Sequence, residues 1–114
     1  MIPCQNRLKA REDFEAVHKA GRFFSEGNIS LKAKKNNLGR TRIGIMVGLK
    51  FSKKAVERNK IKRQIREITR EFLPDKLKKG FDVVIMPKKS REIVSFESLK
   101  ENLENVFKKA NLIH

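Results

Sequence analysis

Lys53-Lys54-Ala55-Val56-Glu57-Arg58-Asn59-Lys60-Ile61-Lys62-Arg63-Gln64-Ile65-Arg66-Glu67-Ile68-Thr69-Arg70 reads as a helix with two unlike sides. At about 100° per residue, Ile61, Ile65, Ile68 and the following Phe72 fall within about 60° of one another and form a narrow apolar stripe. Arg58, Asn59, Lys62, Arg63, Arg66 and Arg70 spread over an adjoining arc of about 140°, with Glu57 and Glu67 outside it. The stripe predicts burial and the arc predicts a cationic surface. Arg58, Lys62, Arg66 and Arg70 follow one another at four-residue spacing, so like charges neighbour along the helix and mildly destabilise it. A helix selected for its own stability would interleave glutamate there, so the compensation must come from outside. Phosphates supply it: arginine presents a planar fork that matches phosphate oxygens, and lysine a mobile point charge. Asn59 adds a donor and an acceptor suited to a sugar hydroxyl or a base edge. A merely solvated charged face is the bland alternative. A DNA major groove would also admit such a helix, whereas the grooves of A-form RNA would not.

Working outward, Arg42 to Leu49 alternates as a strand. Ile43, Ile45, Val47 and Leu49 share one side, and Gly44, Met46 and Gly48 form a thin side against which something bulky can pack. Asn28 to Lys34 alternates likewise, with Ile29, Leu31 and Ala33 opposite Ser30, Lys32 and Lys34. Asn36-Asn37-Leu38-Gly39 between them is expected to turn a hairpin. A first helix is expected over Arg11–Ala20, with Phe14 and Val17 on one face and Gly21 as its stop. Beyond the basic helix, Pro74 ends it, and Phe81 to Met86 is an apolar run typical of a strand covered on both faces. Pro87 closes that strand, and Lys88, Lys89 and Arg91 form a basic loop. Ser95 is placed as the N-cap of a last helix, with Val94 and Leu99 as a hydrophobic staple and Phe96, Leu99, Leu103, Val106 and Ala110 as its core stripe. The order helix, two strands, helix, strand, helix predicts one α+β domain over residues 1–114. Its form would be a two-layer αβ sandwich, a small, mostly antiparallel sheet with helices packed on it.

The bulk charge narrows the partners. Twenty-eight Lys and Arg against 13 Asp and Glu leave a formal net charge of +15 on 114 residues. Self-repulsion of that size is relieved by a polyanion. Nucleic acid is the first candidate, an anionic membrane the second, and a highly charged soluble protein the neutral alternative. No run approaches the apolar length of a membrane span, and Arg7, Lys9 and Arg11 interrupt any secretory pattern, so a cytoplasmic protein with no membrane partner is expected. Cys4 is alone and cannot close an internal disulfide, while His18 and His114 stand nearly a chain apart, leaving no zinc spacing. With Trp and Tyr absent, base stacking would fall to Phe, His or Arg.

Nothing in the chain reads as a protein active site. Asp13, Glu57, Glu67, Asp75 and Asp82 are scattered among basic neighbours with no obvious pair for two-metal chemistry. No phosphate-binding glycine loop, nucleophile elbow or zinc-protease helix motif occurs. No catalytic residue and no metal ligand is expected on the polypeptide.

Ala55-Val56-Glu57-Arg58-Asn59-Lys60-Ile61-Lys62-Arg63-Gln64-Ile65-Arg66-Glu67 resembles the arginine–asparagine helix of the bacterial ribonuclease P protein family. The likeness extends over nearly the whole chain. Asn6-Arg7-Leu8 with Asp13-Phe14 and Val17 looks like the family's first helix, Arg42-Ile43-Gly44-Ile45 like its second strand, and Gly80-Phe81-Asp82-Val83-Val84 like its third. The resemblance implies a left-handed βαβ crossover, as in a ribosomal-protein-like domain. It also implies a protein subunit that joins a large catalytic RNA to remove the 5′ leader of precursor tRNA. Magnesium would be held mainly by the RNA and substrate, with none bound by the protein alone and no obligate protein partner. Carried over residue by residue, contacts to the catalytic RNA fall to Lys50, Lys53, Lys54, Arg58, Asn59, Lys60, Lys62, Arg63, Arg66 and Arg70. A cleft for the single-stranded leader falls to Phe14, His18, Lys88 and Lys89. The sequence departs from the family pattern at three places. His18 stands where many relatives carry a second aromatic, Gly48 and Leu49 where some carry basic residues, and Ser52 near a frequent glycine.

Phe14 and His18 lie four apart on one helical face, so both could stack unpaired bases. Spacing alone equally allows Phe14 as simple core and His18 as a plain surface histidine. A ribosomal or RNA-chaperone protein on the same fold, or a free-standing nuclease or DNA-binding protein, would share many of these features.

Overall fold

The computed structural model describes residues 6–72, 75–89 and 95–113. Its elements run α1 (Arg11–Ala20), β1 (Arg22–Glu26), β2 (Ile29–Lys35), β3 (Arg42–Ile45), α2 (Ala55–Arg70), β4 (Phe81–Pro87) and α3 (Phe96–Lys109). The four strands make one sheet in the order β1-β2-β4-β3, antiparallel except where β3 runs parallel to β4. Pro74, Val94, Arg91, Cys4 and His114, and with them the expected helix stop, staple and lone thiol, fall outside the described residues.

Two features correct the sequence reading. Arg22–Glu26 is a strand that the reading passed over; it pairs with β2 through the two-residue loop Gly27–Asn28. Gly27 has φ 56°, the positive value that a tight hairpin asks of its first loop residue. The second correction concerns Asn36 to Gly39, which does not fold β3 back onto β2. β4 enters between them and takes β2 on one side and β3 on the other. The link crosses the start of β4 instead: the Asn36 N–H donates to the Gly80 carbonyl at 2.8 Å, and the Asn36 side-chain amide donates to Asp82 Oδ1 at 2.8 Å. The physical reason lies in β4 itself. Val83 and Ile85 face one layer and Val84 the other, so only a central position buries both sides.

α2 and α3 cover one face. Ile61, Ile65 and Ile68 meet Leu99, Leu103 and Val106 above Leu31, Ile43, Val83 and Ile85. Phe72 and Phe107 close the end of this core, their ring centroids 5.0 Å apart at 53°. Ser95 caps α3 as expected, its hydroxyl accepting from the Ser98 N–H at 3.1 Å. Phe96, assigned to the stripe, is instead 41% exposed at the first position of α3, and Phe107 supplies the aromatic core contact. β3 stops at Ile45 rather than running to Leu49, which is 69% exposed within a Gly48–Phe51 turn.

α1 lies on the opposite face, where Leu8, Val17 and Val84 form a smaller core with Phe14 and Met86. The thin side of β3 receives a bulky group here as anticipated. A Cβ built on Gly44 would sit 2.5 Å from the Phe14 ring and 3.1 Å from Leu8 Cβ. Gly44→Ala is therefore expected to lose about 1–3 kcal/mol of stability by overpacking, read from denaturant midpoints. An unchanged midpoint would show that the Phe14 ring is not seated on β3.

Candidate nucleic-acid interface

The basic helix is anchored by its isoleucines and presents its arc to solvent in a graded way. Arg58 and Lys62, nearest the apolar stripe, are half-buried; Asn59, Lys60, Arg63, Arg66 and Arg70 are exposed. α2 begins at Ala55 rather than Lys53, and Ser52 organises the approach. The Ser52 hydroxyl accepts from the Lys54 N–H at 3.1 Å and donates to Glu57 Oε1 at 2.8 Å. Arg58 Nη1 donates to the Ser52 carbonyl at 2.8 Å. Arg58 thus braces the loop, and Arg70 pairs with Glu67 on the surface. Among the described residues, Lys60, Lys62, Arg63 and Arg66 have no carboxylate within ion-pair distance. Their charge is available to an external anion.

Lys50, Lys53 and Lys54 line a depression of about 560 Å³ at the start of α2, and Lys89 joins them there. The two loop lysines therefore part company. Lys89 extends the basic surface of α2, whereas Lys88 turns to the other side of the sheet, its Nζ 5.9 Å from the centre of the Phe23 ring.

That other side holds the cleft. Arg11, Phe14, Glu15, His18 and Met46 line a depression of about 290 Å³ between α1 and the end of β3. Phe14 is half-buried, so it serves the smaller core and also lines the cleft, while His18 is exposed. Lys32 ties β2 to the end of α1: its ammonium donates to the His18 carbonyl at 3.0 Å and lies 3.4 Å from His18 Nδ1. A cation at a helix C-terminus is favourably placed for the helix dipole. Phe23, Lys32 and Met46 were not singled out from sequence. The sequence carried a usable signal for the first of them: Phe23 and Phe24 are followed by Ser25-Glu26-Gly27-Asn28, a strand running into a tight turn.

A partly buried ion-pair network ties α1 to the sheet. Arg42 Nε and Nη2 donate to the two carboxylate oxygens of Asp82 at 2.9 and 2.7 Å, and Nη1 reaches Asp13 Oδ2 at 3.2 Å. Burial pushes the Asp82 carboxyl upward, but hydrogen bonds from Arg42 and Asn36 and the charges of Arg42 and Lys34 outweigh it, so its pKa lies below the ordinary carboxylate value. The hydrogen bond to Asp82 correspondingly raises Arg42, against a smaller opposing effect of burial.

No three His, Cys, Asp or Glu side chains converge among the described residues. Among the described residues, no helix is long and apolar enough to cross a membrane.

The sequence and the fold both have counterparts among known proteins. Residues 2–111 match the family model for ribonuclease P. The ribonuclease P protein component of Pseudanabaena sp. (strain PCC 6903) is 40% identical over 115 residues, covering 100% of this chain and 98% of the relative. The chain belongs to the ribonuclease P protein family. The Thermotoga maritima ribonuclease P protein component is 38% identical, covering 92% of each chain. The solved structure of that Thermotoga maritima protein with 1-(4-fluorophenyl)-2-thiourea superposes with a TM-score of 0.81, covering 90% of this chain and 98% of that one at 38% identity. A Staphylococcus aureus ribonuclease P protein at 26% identity gives a TM-score of 0.85, covering 96% of this chain and 98% of that one. The four-stranded sheet with three helices is thus the fold of bacterial ribonuclease P proteins.

Proposed function

We propose that this ribonuclease P protein binds the catalytic RNA of the enzyme through α2 and its basic approach, and holds the single-stranded 5′ leader of precursor tRNA in the cleft beside α1. The observation that carries the first half is the set Lys60, Lys62, Arg63 and Arg66, which the fold leaves without acidic partners among the described residues. Lys50, Lys53, Lys54 and Lys89 extend the same surface and Asn59 lies within it. The second half is supported by an aromatic and imidazole pair, Phe14 and His18, beside a lysine-lined sheet face.

In this reading the polypeptide contributes no nucleophile. Hydrolytic chemistry comes from magnesium held mainly by the RNA and the substrate. The chain's own residues neutralise phosphate repulsion, orient the leader and lower the entropic cost of aligning the scissile bond. The protein acts in the cytoplasm as one domain, with no membrane partner and no obligate protein partner.

Reconstitution tests it. With the cognate catalytic RNA at low magnesium, cleavage of the leader from precursor tRNA is expected only when protein and RNA are both present. Cleavage by the protein alone would favour a free-standing nuclease. An RNA unaffected by the protein would favour a structural or chaperone role.

A further inference from the structure

The sheet face that α1 leaves open carries an aromatic side chain that the core does not use. Phe23, on the edge strand β1, is 54% exposed, whereas its neighbour Phe24 packs against the main core. The register sets Phe23 opposite Lys32 of β2, so the two share a face. Lys88 Nζ lies 5.9 Å from the Phe23 ring centre, and Lys32 Nζ is held at the His18 carbonyl. The face therefore sets rings beside ammonium groups: Phe14 and His18 on α1, Lys32 on β2, Phe23 on the edge strand β1, and Lys88, just past β4, reaching the Phe23 ring. Alternating π faces and cations are what a single-stranded nucleic acid offers partners for, since bases stack and phosphates pair.

We infer that Phe23 is a stacking platform for a base of the single-stranded 5′ leader, with Lys32 and Lys88 taking the flanking phosphates. The inference rests on the leader-cleft reading above and adds to it a residue and a length dependence. The Phe14 ring packs over Gly44 on β3. Phe23 stands on β1, three strand positions away in the order β1-β2-β4-β3. At the usual spacing between strands that is about 14 Å, or about four nucleotides at a stacked rise near 3.4 Å. A leader shorter than this ends before Phe23. A longer one reaches it.

The test is binding of precursor tRNA by the reconstituted RNA–protein complex, with leaders shorter and longer than about four nucleotides and with mature tRNA as reference. Phe23→Ala is expected to weaken long-leader binding about tenfold, leaving short-leader and mature tRNA unchanged. Phe23→Trp should restore long-leader binding, and Phe23→Leu, which keeps apolar bulk without a π face, should not. An equal loss at every leader length, with a lowered melting temperature, would make Phe23 a structural residue and overturn the inference. So would a wild-type preference for long leaders that Phe23→Ala leaves intact, a result that spares the cleft reading itself. A wild-type complex that does not distinguish leader-bearing from mature tRNA would remove the cleft reading and this inference together.

Discussion

Removing the guanidinium groups of Arg63 and Arg66 together is expected to weaken binding to the cognate catalytic RNA by about thirtyfold, at about 1 kcal/mol for each exposed phosphate contact. The more diagnostic quantity is the salt dependence. Each lost phosphate contact should flatten the slope of log K against log salt by about one unit, so the double alanine variant should lose about two. Both side chains are exposed and on the face away from Ile61, Ile65 and Ile68, so the fold should be unaffected. Titrations across a range of salt concentrations decide it. A parallel line displaced to weaker binding would show an indirect effect, and an unchanged line would take both arginines out of the interface. Arg58→Ala serves as a contrast, because Arg58 holds the Ser52 carbonyl at 2.8 Å and its loss should loosen the loop as well as remove a charge.

Arg42→Ala is expected to cost about 3 kcal/mol of stability at neutral pH, because it leaves the buried Asp82 carboxylate without its cation. The pH dependence identifies the cause. In the native protein the Asp82 pKa is held below the ordinary carboxylate value, so its stabilising contribution is complete above the unfolded value and is lost as pH falls through the folded one. Without Arg42, burial is the largest remaining influence and moves the carboxyl upward. The charged form is then the costly one, and acidification relieves it. The gap between variant and native protein should therefore narrow as pH drops from neutral towards about 3, followed by denaturant unfolding. A gap independent of pH would place the loss in packing rather than in the ion pair. Arg42→Lys keeps a charge but not the fork to both Asp82 oxygens, and should recover only part of the stability. Because Arg42 also reaches Asp13 on α1, the alanine variant should loosen α1 from the sheet and impair the cleft.

The helices were the legible part. The bounds of α1, the buried stripe and exposed arc of α2 and the Ser95 cap of α3 all follow from contacts within one or two turns of chain, which spacing records directly. The cationic face was readable for the same reason, since most of its residues lie on one helix and the loop before it. Sheet assembly was not. Asn36 to Gly39 has the composition of a hairpin turn, yet whether β2 pairs with β3 or with β4 depends on which strand must bury both faces, and β4 outcompetes the nearer partner. Hydrogen bonds between strands carry no sequence spacing of their own.

The face beside α1 shows the consequence. Phe14 and His18 could be paired from helical spacing, but Phe23 and Lys32 come from two strands, and Met46 and Lys88 from just past the ends of two others. The β1–β2 register sets Phe23 beside Lys32, and the insertion of β4 between β2 and β3 brings the ends of β3 and β4 to the same sheet. Local periodicity was enough to specify the helices and a positive face able to meet phosphate. Which aromatic and basic groups stand together beside α1 was settled by burial across distant segments, an energy that belongs to the assembled sheet and to no stretch of chain alone.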